Sequence, residues 1–473
     1  MRDTAIMPLT AAEQYLLELI NRARLDPLSE AERYNLDLND GLNAGQIGDA
    51  PLQVLAHNPL LSDASHSHSA WMLAADIFAH AGAGGSSAGE RMSDAGFAFT
   101  GAWSWAENLA WAGTTGTIDL DSAIAHHHED LFRSAGHRAN TFLSHIREIG
   151  IAQVEGAFTR DGVAYSSSML TKNFALSESD VFVTGVAYTD LDGDGFYSIG
   201  EGQSDVTITA AGASDISADA GGYGIAITAQ NSAAVTVSMG GAQIASLQMD
   251  VSDGNGKLDV VTDADGSMSV HLSVDATLVS GIHDAALLGV GDLHLTGTNS
   301  ANQLTGNGGD NHLSGLRGHD ILHGADGADV LVGGRGKDRL YGDDGDDDLT
   351  GGGARDRLFG GTGNDLLAGG GARDLLRGGA GDDVLNGGGG RDKMTGGAGA
   401  DTFVFSQGHD QITDYEMGVD QITISAQMLG ENDLEDIITV QNGNIVLELE
   451  TGHSLTIRGH DDLALLLDDI TIA

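Results

Sequence analysis

Along the last third of the chain one apolar position returns every ninth residue. From Leu304 the series runs through Leu313, Leu322, Leu331, Leu340, Leu349, Leu358, Leu367, Leu376, Leu385, Met394 and Phe403 without a slip. A glycine stands two residues after each member from Gly306 to Gly396, and an aspartate stands seven after from Asp320 to Asp410, with Asn311 in that place one turn earlier. This period predicts a stacked unit: a six-residue glycine-rich turn that needs positive φ, then a three-residue strand whose apolar side chain points inward. A flexible Gly/Asp linker would not hold such a register. The aspartates would face the gaps between stacked turns, where carboxylates and turn carbonyls give a hard cation its oxygen shell. Without metal these rows of carboxylates would oppose one another, and the roll should not close.

The first part of the chain reads differently. Leu16, Leu17, Ile20 and Ala23 recur at helical spacing, and a second helix starts near Asn58 with Leu60, Leu61, Ala64, Met72, Leu73 and Phe78. A third is expected over 118–134; Leu120, Ile124, His127, His128 and Leu131 share its apolar face, while Asp119, Ser122, His126, Glu129 and Arg133 face outward. Strand-like segments follow at 149–153 and 163–170. Helices and strands mix without βαβ regularity, which predicts a layered α/β domain. Beyond it, alternation at 181–183 and 206–209 and Val/Ile/Ala/Ser-rich stretches to 285, broken by Gly/Asp turns, predict an all-β middle.

Charge sharpens this picture. Of 473 residues, 22 are basic and 69 acidic, a formal net charge of −47. Residues 1–180 hold 23 acids and 10 bases and the rest 46 and 12, so the surplus grows from −13 to −34 along the chain. A surplus of this size argues against nucleic acid and anionic membranes as partners, and calls for bound cations or a salt-adapted surface. The chain has no cysteine, which excludes disulfides, thiol nucleophiles and Cys-based zinc sites. No apolar run reaches the roughly 18–20 residues of a spanning helix, and Met1 onward shows no charged n-region followed by an apolar stretch.

A second candidate cation loop lies in the middle. Residues 190–201 match D-x-[DN]-x-[DN]-G-x5-E. Asp190, Asp192 and Asp194 would supply carboxylates, Phe196 a backbone oxygen, Ser198 a water-mediated contact and Glu201 a bidentate pair, while Gly195 permits the sharp turn. Strand-like flanks exclude a helix–loop–helix.

The nonapeptides resemble RTX (hemolysin-type) repeats over 292–411, with calcium ligands at Asp320, Asp329, Asp338, Asp347, Asp356, Asp365, Asp374, Asp383, Asp392 and Asp401. Two turns carry Ala354 and Ala372 where the fourth-position glycine belongs; the spacing puts both on one side, and weaker calcium sites are expected there, with Arg355 and Arg373 partly replacing the ion's charge. Residues 412–473 are similar to the family's closing segment and to the uncleaved acidic, aliphatic tail read by a type I secretion apparatus. The resemblance implies an extracellular protein whose repeats stay unfolded in a calcium-poor cytosol and fold outside. Residues 179–285, with the acidic loop followed by Ser217-Ala218-Asp219-Ala220-Gly221-Gly222-Tyr223-Gly224, resemble the B-type (SdrD-like) calcium-binding sandwich repeats of bacterial adhesins.

Nine histidines precede residue 146, and short motifs order them: Leu19-Ile20-Asn21-Arg22-Ala23-Arg24, Phe78-Ala79-His80, Ala106-Glu107-Asn108-Leu109-Ala110, Ser134-Ala135-Gly136-His137-Arg138-Ala139-Asn140 and Glu148-Ile149-Gly150-Ile151-Ala152. Taken in sequence they resemble the SCP-like branch of the CAP superfamily over 1–178, which implies an α–β–α sandwich with a cleft. His80, Glu107 and His137 carry over to that cleft; the fourth member is His128 or Glu129. Convergence of the three histidines near Glu107 would allow zinc. The reading is thus multidomain, α/β plus all-β: an α–β–α head, a β-sandwich middle and a parallel β-roll. The head is expected to bind a lipid, another small ligand or a metal. A metal-dependent hydrolase and a surface adhesin with a vestigial cleft remain open alternatives.

Overall fold

Thr10 opens the first helix. Its hydroxyl accepts from the Glu13 N–H and the Glu13 carboxylate accepts from the Thr10 N–H, a capping box. The helix that follows, α1 (Ala11–Leu25), buries Leu16, Leu17, Ile20 and Ala23 as their spacing predicts. The computed structural model describes residues 8–177, 180–449 and 451–473. These fall into two compact units, one ending at Val274 and the other Asp275–Ala473.

The first unit begins with three layers. After α2 (Pro27–Arg33) come β1 (Ala56–His57), α3 (Pro59–Ala75), α4 (Ala88–Asp94), β2 (Ser104–Thr114), α5 (Leu120–Arg133), α6 (Ala135–Thr141), β3 (Glu148–Arg160) and β4 (Val163–Leu176). The sheet order is β1-β3-β4-β2. Alternation along β4 sends its residues to opposite faces. Thr171 and Asn173 meet Ser69 and Ser65 of α3, whereas Ser168 meets His127 of α5 and Leu170 packs among Leu16, Ile20 and Ile124. Gly150 lets α3 lie directly on β3; a Cβ there would stand 2.1 Å from the Leu61 carbonyl carbon.

A two-sheet β-sandwich follows, from β5 (Asp180–Asp190), β6 (Val206–Ala210), β7 (Ala213–Ile216), β8 (Gly222–Thr228), β9 (Ser232–Met239), β10 (Ala242–Asp250), β11 (Gly256–Asp263) and β12 (Met268–Leu272). One sheet runs β12-β11-β5-β8 and the other β10-β9-β6-β7. Period-2 alternation places Val183, Ile208, Val235, Val237, Leu247 and Val260 in its core. Polar groups tie it to the head. Lys257 Nζ lies 2.9 Å from Glu18 Oε2 and also contacts Asp259, all three buried. The Asn255 amide donates to the Val54 and Arg147 carbonyls.

The second unit is a parallel solenoid with two strands per 18-residue coil. Leu304, Leu322, Leu340, Leu358 and Leu376 line one sheet in register, and Leu313, Leu331, Leu349, Leu367 and Leu385 the other. Every one is fully buried. Strands Ala276–Gly281 and Asp284–Leu287, which the expected boundary at 285 leaves with the sandwich, pair in parallel with the solenoid strands that follow them. At the far end Ser454–Arg458 pairs with His409–Ile412, and Ile470–Ile472 with Gln421–Ile424. The closing segment therefore caps the last coil with its own strands.

Candidate metal centres and the head cleft

The solenoid sites are built from one repeated hydrogen bond. The N–H of Asp338 donates to Asp356 Oδ1 one coil on at 2.8 Å, that of Asp356 to Asp374 at 2.8 Å, and that of Asp374 to Asp392 at 2.7 Å. On the other edge Asp329, Asp347, Asp365 and Asp383 repeat the contact, ending on Asp401. Each bond uses Oδ1 alone. The Oδ2 atoms of Asp320, Asp329, Asp338, Asp347, Asp356, Asp365, Asp374, Asp383, Asp392 and Asp410 are buried and unpartnered. The turn glycines make this space: a Cβ on Gly342 would stand 2.2 Å from Asp347 Oδ2, and one on Gly378 2.1 Å from Asp383 Oδ2.

Orphaned, buried carboxylate oxygens are costly unless a cation satisfies them. Burial pushes Asp347, Asp374 and Asp383 up to about 7, and the carboxylates of adjacent coils push the same way. Asp320, Asp329 and Asp356 reach about 6 for the same first reason. An all-oxygen set of this kind suits a hard divalent cation.

The family model of the RTX calcium-binding nonapeptide repeat matches four times, over residues 296–331, 323–358, 350–385 and 377–412. The solenoid is made of RTX calcium-binding repeats. Asp410, one coil past Asp392, joins the RTX series through the same bond at 3.0 Å. Three solved structures share local likeness with the chain. An extracellular protein containing an SCP domain from Bacillus anthracis str. Ames is 19% identical over 36% of this chain and 45% of its own, with TM-score 0.22. The extracellular lipase LipA from Serratia marcescens is 19% identical over 41% and 40%, with TM-score 0.19. The AlgE6R3 subunit of the Azotobacter vinelandii mannuronan C5-epimerase is 29% identical over 28% and 80%, with TM-score 0.17. The chain thus spans less than half the length of the first two. Curated protein sequences give no match.

The middle loop gathers Asp190, Asp192 and Asp194, whose carboxylate oxygens lie within 4.8 Å of one another. Among the described residues this is the one group of three or more His, Asp or Glu side chains so placed. Asp190 also closes the turn, accepting from Gly193 and Gly195 N–H at 2.7 and 3.0 Å. Glu201 accepts from Leu191 and Ser198 N–H at 2.9 and 2.7 Å, so its two oxygens brace the loop. The Phe196 ring lies against Tyr15 and under Arg22 of α1.

In the head, His80 and Glu107 meet, with Nδ1 2.9 Å from Oε1. The other Glu107 oxygen is taken by Arg91, a partner that no spacing in the sequence indicates. Burial, then Lys172 and then His80 lower the affinity of His137 for a proton, and its Nδ1 is buried without a partner.

His128 does not join them. It is buried on α5 with Nε2 2.9 Å from Glu30 Oε1, and Arg22 donates to the same carboxylate from Nε and Nη2. Burial opposes the Glu30 charge, yet His128 and Arg22 hold it down to about 2. Glu129 faces solvent and pairs with Arg133 at 2.8 Å. The helix phase at 118–134 is as read, but a helix face names a direction and not a partner, so the expected convergence of three histidines on Glu107 is corrected. The Arg91 guanidinium supplies the positive charge beside Glu107, and the set does not fit zinc as it stands.

Beside His137 opens a cleft of about 570 Å³ lined by Phe78, Leu109, Trp111, Leu131 and Phe158, with Asp130, Arg160 and Asp161 among its polar walls. Its lining comes from β2, α5, α6 and the end of β3, with Phe78 beyond α3. Its apolar lining around a few polar groups suits a small hydrophobic ligand with one polar end.

Proposed function

We propose that this is a secreted calcium-binding protein whose RTX solenoid folds on calcium outside the cell, and whose head binds a small apolar ligand. The observation that carries the first half is the row of buried, unpartnered Oδ2 atoms. Calcium at those atoms would convert a desolvation cost into binding free energy, and binding to the folded state alone stabilises it by mass action. Export unfolded through a type I apparatus follows the same logic. In this reading 179–274 is an adhesin-type spacer whose Asp190–Asp192–Asp194 loop takes a further calcium ion.

The cleft supports ligand binding better than hydrolysis. It offers an apolar wall, while Glu107, the carboxylate that meets His80, is already shared with Arg91. Calcium titration of the purified chain, followed by circular dichroism and calorimetry, tests the solenoid. A cooperative gain of β-structure at submillimolar to millimolar calcium is expected, and no response would sink the reading. For the head, a fluorescent fatty acid should bind the calcium-loaded protein and lose at least about tenfold in affinity with Leu131→Asp. Unchanged binding in that variant, with the fold retained, would remove the cleft from the account.

A further inference from the structure

The charges of the solenoid are sorted by side. Residues 303–404 contain ten lysines and arginines. Six of them, Arg317, Arg335, Lys337, Arg355, Arg373 and Arg391, stand on turns that leave the sheet of Leu313 and enter the sheet of Leu322. The remaining four, Arg339, Arg357, Arg377 and Lys393, lie on that second sheet. All ten are exposed, and among the described residues none forms an ion pair. Outside the calcium ligands, Asp310, Asp346 and Asp382 occupy turns of the opposite edge, Asp326, Asp343 and Asp344 stand at the ends of second-sheet strands that lead into it, and Asp348 lies on the other sheet. A surface shaped for solubility alone interleaves its signs.

Register makes the basic side a ladder. Arg317 pairs with Arg335, and Arg339 with Arg357, on adjacent coils. Stacked strands lie about 4.8 Å apart, so these like charges repel along the solenoid axis. Within residues 303–404, calcium at the buried aspartates would cancel the carboxylates of that edge. Beside the ladder, His323, Tyr341 and Phe359 stack almost parallel at 4.4 and 4.9 Å, and Arg377 lies over the end of the stack at 5.7 Å. The rings spend their faces on each other and present edges to solvent. They leave little open face for a nucleic-acid base. Guanidinium forks in a row instead match planar carboxylates in a row. An extended chain of uronic acid sugars carries one carboxylate per ring, with alternate carboxylates on the same side, a same-side repeat close to two strand steps of about 4.8 Å.

We propose that this basic edge and its adjoining sheet bind a linear polycarboxylate, an acidic polysaccharide of uronic acid units laid along the solenoid axis. The full chain in excess calcium, titrated calorimetrically with decagalacturonate, should bind it and should lose at least about tenfold in affinity between 50 and 200 mM salt. Fully methyl-esterified decagalacturonate should not bind. The variant R355E/R357E/R373E should lose at least about tenfold while keeping the calcium-induced β signal, and D346K/D382K on the opposite edge should retain affinity. If the reversed charges abolish the β signal, R355Q/R357Q/R373Q decides: lost binding supports the site and retained binding overturns it. Equal binding of the ester, equally tight binding of a short DNA duplex, or no effect of the charge variants would each overturn it. So would concentration-dependent dimers in sedimentation that R355E/R357E/R373E abolishes, which would give the edge to a second copy.

Discussion

The N–H of Asp347 donates to Asp365 Oδ1 at 3.0 Å, while Asp365 Oδ2 stays buried and unpartnered between coils. One carboxylate thus ties its coil to the one before and leaves a second oxygen unused, the oxygen that calcium takes in the proposed reading. Asp365→Asn retains an acceptor for the N–H but removes the charge. The calcium midpoint of the β transition should rise several-fold by circular dichroism. Asp348→Asn, outside the ligand series, should leave it in place.

The metal-free solenoid should depend on pH in an unusual sense. Burial raises Asp347, Asp374 and Asp383 from 3.8 to about 7 in the folded state. The folded form therefore binds more protons than the unfolded one, and the stability this adds is complete below pH 4 and lost as pH rises through 7. In chelator, β-structure should be greater at pH 5 than at pH 8. With calcium present the order should reverse, because protons and metal compete for the same oxygens. Identical spectra at both pH values in chelator would contradict the burial of these groups.

Ala354 and Ala372 occupy equivalent turns on one edge, yet only Ala372 has positive φ, at 92°. A side chain held there costs on the order of 1 kcal/mol relative to glycine. Ala372→Gly should stabilise the calcium-loaded solenoid by about that amount in thermal unfolding, and Ala354→Gly should not. Equal gains from both would place the effect in calcium affinity rather than in backbone strain.

Lys172 sits fully buried on β4, with the Phe174 ring 5.9 Å from its Nζ and, among the described residues, no carboxylate paired with it. Burial lowers it from 10.5 to about 7. A cation whose folded pKa is depressed contributes stability above pH 10.5 that drains away as pH falls to 7. Lys172→Met should therefore stabilise the head at pH 6 by on the order of 2 kcal/mol in thermal unfolding, and do little at pH 10.5. A gain of equal size at both would point to packing instead of charge.

Much of this molecule is readable in one dimension. The capping box at Thr10, the apolar face of α5 and the alternation of the sandwich strands all rest on neighbours within a few residues, where spacing and contact coincide. Glu30 shows where that stops. Residue 30 is 98 positions from His128, and nothing in either segment names the other. Arg91 on Glu107 and the buried Glu18–Lys257–Asp259 group joining head to sandwich are of the same kind, partners chosen by packing across elements.

The nine-residue period by itself determined the solenoid, its inward leucines and the rows of aspartates, because each coil repeats the local rules of the last. It also carried the sorting of arginines and non-ligand aspartates to opposite edges, though only the 18-residue coil makes that sorting a surface. Tertiary structure alone decided which carboxylate oxygens are orphaned, which histidine reaches Glu107, and where the head opens an apolar cleft. Those depend on how distant elements meet, and burial sets the charge of each group only after they have met.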